Sequence, residues 1–279
     1  MIAYGICIGS DERYDRYARP GLALSASPNA LVLEARSQVS IFPAYNSFLD
    51  TVTSSPCLEA LVLLHDDVEL RDPVFEQRVR SALTDSQAGI LGAIGACGVQ
   101  NLAWWEGEGH GRCVDTNGVI DFGGMPCDVD SVDGLLLVLS PWAVRNLRFD
   151  ENTFHGFHGY DADICFQARA AGHRVRVIET ELFHHTKGGF GNVKAFRSAD
   201  VAFRRKWFGP EYRVRTDAAK IGRLMLWRHR WRRWMLCVPG MIRPKTTGTL
   251  AQGKLPVPTL SRPTRHCWAA RLQAKQAGR

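Results

Sequence analysis

His65, Asp66 and Asp67 carry the clearest chemical potential in the chain. They follow Leu61-Val62-Leu63-Leu64, a short apolar run ending in polar groups, which predicts a buried central strand whose carboxyl end opens into a site. In open α/β sheets, ligands bind at that end. Two adjacent carboxylates and an imidazole there can hold a divalent cation, and a cation can hold a diphosphate. A strand followed by a solvated acidic turn explains the same residues equally well.

A second, denser constellation runs through Phe149-Asp150-Glu151 and Phe154-His155-Gly156-Phe157-His158-Gly159-Tyr160-Asp161-Ala162-Asp163. From Asp161 the spacing turns helical through Ile164, Cys165, Ala168 and Ala171, and stops at Gly172. Asp161 and Asp163 therefore fall in a first helical turn. The helix dipole favours a carboxylate there as an anion, which suits a structural cap and an ionised general base alike. Asp133 before Gly134 fits an Asx-turn, and His184-His185 fits the polar end of another strand.

Several elements must position these groups. Ile2 to Ile8 predicts a first strand, and Gly9-Ser10 a tight loop at its carboxyl end, which in a nucleotide-binding sheet lies beside base or ribose. Leu31-Val32-Leu33 predicts a second strand. Pro43 starts a helix carrying Tyr45, Phe48 and Leu49, and Asp72-Pro73 starts another with Val74, Phe75, Val79 and Leu83 on its stripe. Strands are expected over Ile90 to Val99, Leu135 to Leu139 and Val175 to Ile178. Between Gln100 and Asp128 the pattern dissolves into glycines around Trp104-Trp105, which predicts a long functional loop whose tryptophans stack on a sugar ring or pack on the fold.

The formal net charge of +7 hides a division. Residues 1 to 203 hold 16 Lys and Arg against 26 Asp and Glu, whereas residues 204 to 279 hold 19 against 2. An acidic globule is followed by a basic tail. Eight cysteines without C-x-x-C spacing predict free thiols in a reducing compartment. Neither a signal peptide nor an apolar span of membrane length is expected, so the sequence points to the cytoplasm.

Four segments in order resemble the GT-A glycosyltransferases, and more narrowly the bacterial family-2-like enzymes with an H-x-D version of the usual D-x-D. They are L-H-D-D-V at 64 to 68, V-D-G at 132 to 134, F-H-G-Y-D-A-D-I-C at 157 to 165 and F-H-H-T at 183 to 186. The resemblance covers roughly residues 1 to 208. It implies an α/β, Rossmann-like GT-A fold: a mostly parallel central sheet flanked by helices, with residues 1 to 208 as the catalytic domain. It also implies Mn2+ or Mg2+ and a nucleoside-diphosphate sugar donor. By the same resemblance Asp67 is a metal ligand together with His184 or His185, with His184 favoured because its following x-Thr is similar to the family's H-x-S. Gly9, Ser10, His65, Asp66, Asp133 and Gly134 fall on the donor or sugar side. Tyr160-Asp161 matches the family's E-D pair with the aspartate kept, so Asp161 inherits the general-base role, with Asp163 in reserve. Attack by an acceptor hydroxyl on the face opposite the departing diphosphate gives inversion.

Beyond the resemblance, residues 209 to 245 predict a basic amphipathic helix. Leu224, Trp227, Trp231 and Trp234 form a stripe, with Arg223, Arg228, Arg230, Arg232 and Arg233 between them. Over residues 220 to 245 this fits an anionic membrane surface, placing the enzyme at the inner face of the plasma membrane with a glycan or lipid-linked acceptor, in cell-envelope synthesis. Residues 246 to 279, broken by prolines, predict an irregular tail. Two other readings remain at this level. A nucleotidyl- or phosphoryl-transferring enzyme would use the same cation and diphosphate, but the chain lacks a G-x-x-x-x-G-K-[ST] loop. An RNA-binding protein would use the tail, although no nucleic-acid partner is expected.

Overall fold

The computed structural model of the chain describes residues 1–186 and 191–209. The segments expected at 209 to 245 and 246 to 279, with their membrane surface, lie outside the described residues apart from Gly209.

The order begins β1 (Ile2–Ile8), α1 (Asp11–Arg13), a π-helical turn (Tyr14–Ala18), α2 (Arg19–Ser25), β2 (Leu31–Arg36), α3 (Ile41–Thr53), β3 (Ala60–His65), β4 (Val68–Leu70) and α4 (Phe75–Ala82). It continues with β5 (Ala88–Gly92), β6 (Ile94–Cys97), a 3-10 turn (Trp104–Glu106), β7 (Glu108–Asp115), β8 (Gly118–Gly123), β9 (Cys127–Val129), β10 (Ser131–Val132) and β11 (Leu136–Leu139). Then follow α5 (Pro141–Asn146), α6 (Tyr160–Ala170), β12 (Arg174–Val177), β13 (Leu182–His184) and α7 (Val193–Phe208).

Seven strands form the main sheet in the order β2-β1-β3-β11-β5-β12-β9. β1 runs parallel to β2 and β3, and β12 parallel to β5, while β11 is antiparallel to both β3 and β5. Ala60 to Leu64 are wholly buried, as the continuous apolar run requires of a central strand. α3 covers this sheet through Phe42, Tyr45, Phe48, Leu49 and Val52, all buried and spaced at the helical period. Removing that much aromatic and aliphatic surface from water stabilises the layer by about 1.5–3 kcal/mol per side chain.

A second sheet, β10-β6-β7-β13-β4 with β8 on β7, stands at the carboxyl ends of the first. It differs from two expectations. The segment expected as a loop from Gln100 to Asp128 is largely the β7–β8 hairpin, and the strand expected over Ile90 to Val99 divides at Ala93 into β5 and β6, which belong to different sheets. In the hairpin, β8 leaves Val119 and Phe122 exposed, so little apolar alternation marks it as a strand. The α4 helix starts at Phe75, where Asp72 caps the preceding turn by accepting from the Val74 N–H at 3.1 Å.

Candidate functional site

β3 delivers His65, and the turn between β3 and β4 delivers Asp66 and Asp67. β13 runs antiparallel to β4 with His184 opposite Val68, so the second sheet brings a late histidine back to the early carboxylate. His184 Nε2 lies 3.3 Å from Asp67 Oδ1, and the His65 and His184 ring centroids are 5.9 Å apart. One donor atom each from His65, Asp67 and His184 fall within 4.8 Å of one another. One carboxylate and two imidazoles on that scale suit a divalent cation of the manganese or zinc type.

The surroundings hold Asp67 ionised. Burial opposes its charge, but the His184 bond and the nearby His184, His65 and Arg13 charges outweigh it and bring its pKa down to about 2. For His184 burial works against the proton, and the Asp67 carboxylate prevails and raises its pKa. His65 is lowered, first by burial and then by the His184 charge.

Asp66 points the other way. Its Oδ2 accepts from the Gly9 N–H and Ser10 N–H, both at 2.8 Å, and from the Arg13 guanidinium at 3.1 Å. The structure thus brings Gly9, Ser10 and Asp66 together, with both loop amides spent on the carboxylate. His185 also turns aside: its ring stacks on Tyr17 with centroids 3.6 Å apart, and its Nε2 meets Glu69 at 2.8 Å. Of the two histidines, His184 is the one in the trio.

A second group sits beside the first, because β11 is hydrogen-bonded to β3 and its entry, Asp133-Gly134, lies next to His65: the His65 N–H donates to Leu135 O at 3.2 Å. Asp133 does form the Asx-turn, accepting from the Leu135 N–H at 2.9 Å, and its other oxygen accepts from Trp104 Nε1 at 3.0 Å. Trp104 is therefore packed into the site wall. Trp105 stacks on Phe196, and His158 meets the same ring edge-on.

Gly159 opens α6 with φ of +88°, where a Cβ would crowd Leu102 and Phe154. The turn it permits sends Asp161 toward Gly134, whose N–H donates to Asp161 Oδ2 at 3.1 Å. Burial, and then the Asp133 charge, push the Asp161 pKa up to about 7 against backbone N–H groups that pull it down. Asp163, two residues on, faces the opposite direction. It is 1% exposed and accepts from Lys206 Nζ, Trp207 Nε1 and Gln167 Nε2, which tie α7 to α6. With both oxygens bound there, it is a structural anchor by its contacts.

Sequence reasoning missed five participants. Tyr160, whose hydroxyl lies 2.5 Å from His65 Nε2, had only its adjacency to Asp161 as a signal. Arg13 sits in a helical stretch with no motif. The anchors Asp200, Lys206 and Trp207 lie on α7, whose Phe196, Ala199, Phe203 and Trp207 recur at three- and four-residue spacing and would have revealed a helix. Asp200 accepts from the Leu102 N–H at 2.9 Å, so α7 also holds the segment leading to Trp104.

A profile described as "Glycosyltransferase like family" matches residues 18–195. The streptomycin biosynthesis protein StrF of Streptomyces griseus is 35% identical over 212 residues, covering 75% of this chain and 75% of that protein. The protein named ATP synthase subunits region ORF 6, from Fuscovulum blasticum, is 28% identical over 160 residues, 53% of this chain and 60% of that one. Among solved structures, GalNAc-T7 with UDP, GalNAc and Mn2+ is similar at a TM-score of 0.49 and 9% identity, covering 72% of this chain and 47% of that chain.

Proposed function

Since the chain belongs to the glycosyltransferase-like family, we propose that it is a GT-A glycosyltransferase that moves a sugar from a nucleoside-diphosphate donor to an acceptor hydroxyl with inversion, Asp161 acting as base. The observation that carries this reading is the pairing of two unlike groups at adjoining strand ends. One is a trio able to hold a cation, and the other is a carboxyl whose pKa, about 7, matches a working pH.

His65, Asp67 and His184 would hold Mn2+, which accepts imidazole where Mg2+ prefers oxygen. When bound, the cation supplies positive charge against the diphosphate. Asp161, ionised, accepts the acceptor's hydroxyl proton at a carboxylate oxygen while that hydroxyl oxygen bonds to the anomeric carbon. The bond from that carbon to the diphosphate oxygen breaks on the opposite face, and its electron pair leaves with the nucleoside diphosphate. The Gly134 N–H fixes Asp161 Oδ2, and Trp104 fixes Asp133 beside it. Trp105, which meets Trp104, packs with His158 on Phe196, and these rings would offer faces and edges to an acceptor.

The finer assignment places the acceptor as a glycan or lipid-linked glycan, with residues 220 to 245 meeting an anionic membrane. It rests on the composition of that segment alone. No described helix is long and apolar enough to cross a membrane. The test of the core reading is a thermal-shift screen of nucleoside diphosphates with and without Mn2+, followed by donor turnover. A nucleoside diphosphate should stabilise the protein only with the cation present. Equal stabilisation without Mn2+ would overturn the metal-dependent donor site.

A further inference from the structure

His65 has two ring nitrogens, and the fold has already committed one of them. Its Nε2 lies 2.5 Å from Tyr160 Oη. The Tyr160 ring is enclosed: 4% exposed, it meets Phe42, Tyr45 and Phe149 with centroids 5.6 to 6.5 Å apart, the first two edge-on. The hydroxyl reaches His65 through a gap that only glycine leaves, because a Cβ at position 134 would run into it.

We infer that Tyr160 is a positioning residue for the cation site, holding His65 through Nε2 so that Nδ1 is the nitrogen His65 presents to a divalent cation. The inference rests on the reading of His65, Asp67 and His184 as that site. With Nδ1 donating its lone pair, the neutral ring carries its hydrogen on Nε2, and Tyr160 Oη accepts it. The same helical turn serves both halves of the site, Tyr160 fixing His65 on β3 and Asp161 meeting Gly134 at the entry to β11. A displaced α6 would disturb the imidazole and the carboxyl together.

The experiment is Mn2+ binding measured by electron paramagnetic resonance on the full chain, in wild type, Tyr160→Phe, His65→Asn and the double variant. Removing the hydroxyl while keeping the ring should weaken Mn2+ about tenfold or more, as loss of a ligand's supporting partner does. His65→Asn should weaken it too, and Tyr160→Phe should add nothing once His65 is gone. Losses that multiply in the double variant would overturn the positioning role, as would an unchanged affinity in Tyr160→Phe. If His65→Asn itself leaves Mn2+ affinity unchanged, His65 holds no cation, and its place in the trio falls together with the role of Tyr160. A second readout needs no variant: with diamagnetic Cd2+ bound, the 15N spectrum of the His65 ring should show Nδ1 shifted by the metal and Nε2 still protonated. Metal on Nε2 would overturn the inference.

Discussion

Asp67, in the turn after β3, and Asp161, in the first turn of α6, are the same residue type, and their surroundings drive them apart. Asp67, among His184, His65 and Arg13, falls to about 2. Asp161, buried beside Asp133, rises to about 7. The difference follows from neighbours: cationic groups favour the charged form, whereas burial and a like charge oppose it. A carboxylate fixed in its ionised form suits holding a cation, and one that gains and loses its proton near neutrality suits moving a proton.

The largest expected effect breaks the second half of this contrast. Asp161→Asn should lower transfer by about a thousandfold while leaving affinity for the nucleoside diphosphate near wild type. Wild-type turnover should climb with pH through about 7 as Asp161 ionises, and the variant's residual rate should lack that limb. Steady-state rates from pH 5 to 9 check both points. Equal losses in binding and transfer would make Asp161 a structural residue.

Asp67→Asn attacks the first half and should show the opposite pattern. Mn2+ affinity and metal-dependent donor binding should fall on the order of a hundredfold, since a ligand worth several kcal/mol is removed. Titration of Mn2+ and of nucleoside diphosphate checks it, and full Mn2+ affinity in the variant would dissolve the contrast.

Stability offers a reading of the same difference without substrate. Asp161 binds its proton more tightly folded than unfolded, so between about pH 4 and pH 7 the folded state carries the extra proton. Its contribution is therefore present at low pH and lost as pH rises through about 7. Asp161→Asn removes that penalty. Relative to wild type it should gain about 2 kcal/mol more at pH 8 than at pH 4, a figure kept below the full shift because the side chain retains some solvent contact. Asp67 runs the other way: its stabilisation is present above about pH 4 and lost as pH falls toward 2. Denaturant melts of both variants across pH 3 to 8 check the two signs.

Much of this site was legible because its parts are local. Leu61 to Leu64 announced β3 by continuous apolarity, and the helical spacing from Asp161 to its stop at Gly172 announced α6. The pairing of early Asp67 with late His184 came through resemblance, since no spacing rule links residues so far apart; the antiparallel β4–β13 ladder is what joins them. The β7–β8 hairpin escaped because its glycines and exposed apolar residues lack the alternation of a half-buried strand. The Tyr160–His65 contact escaped because it depends on how α6 lies under two strand ends, which neither segment encodes alone.

The smallest effect on transfer is expected at Asp163, and it sharpens the contrast most closely, since only one residue separates it from Asp161 on α6. A helix turns about 100° per residue, so positions 161 and 163 face nearly opposite directions. One carboxyl meets Gly134 at the site, and the other is enclosed by Lys206, Trp207 and Gln167. Asp163→Ala leaves the Trp207 indole N–H without its partner, while Lys206 keeps Asp150 at 2.7 Å. The loss should be about 1–3 kcal/mol of stability, the cost of stranding buried polar groups. Because α7 also holds Leu102 through Asp200, loosening it should raise the acceptor KM through the Trp104 segment and leave kcat within a few-fold. Lys206→Met should cost less stability than Asp163→Ala, since Trp207 and Gln167 still satisfy the carboxyl. A thousandfold fall in kcat for Asp163→Ala, at a temperature where it remains folded, would move the base from Asp161 to Asp163.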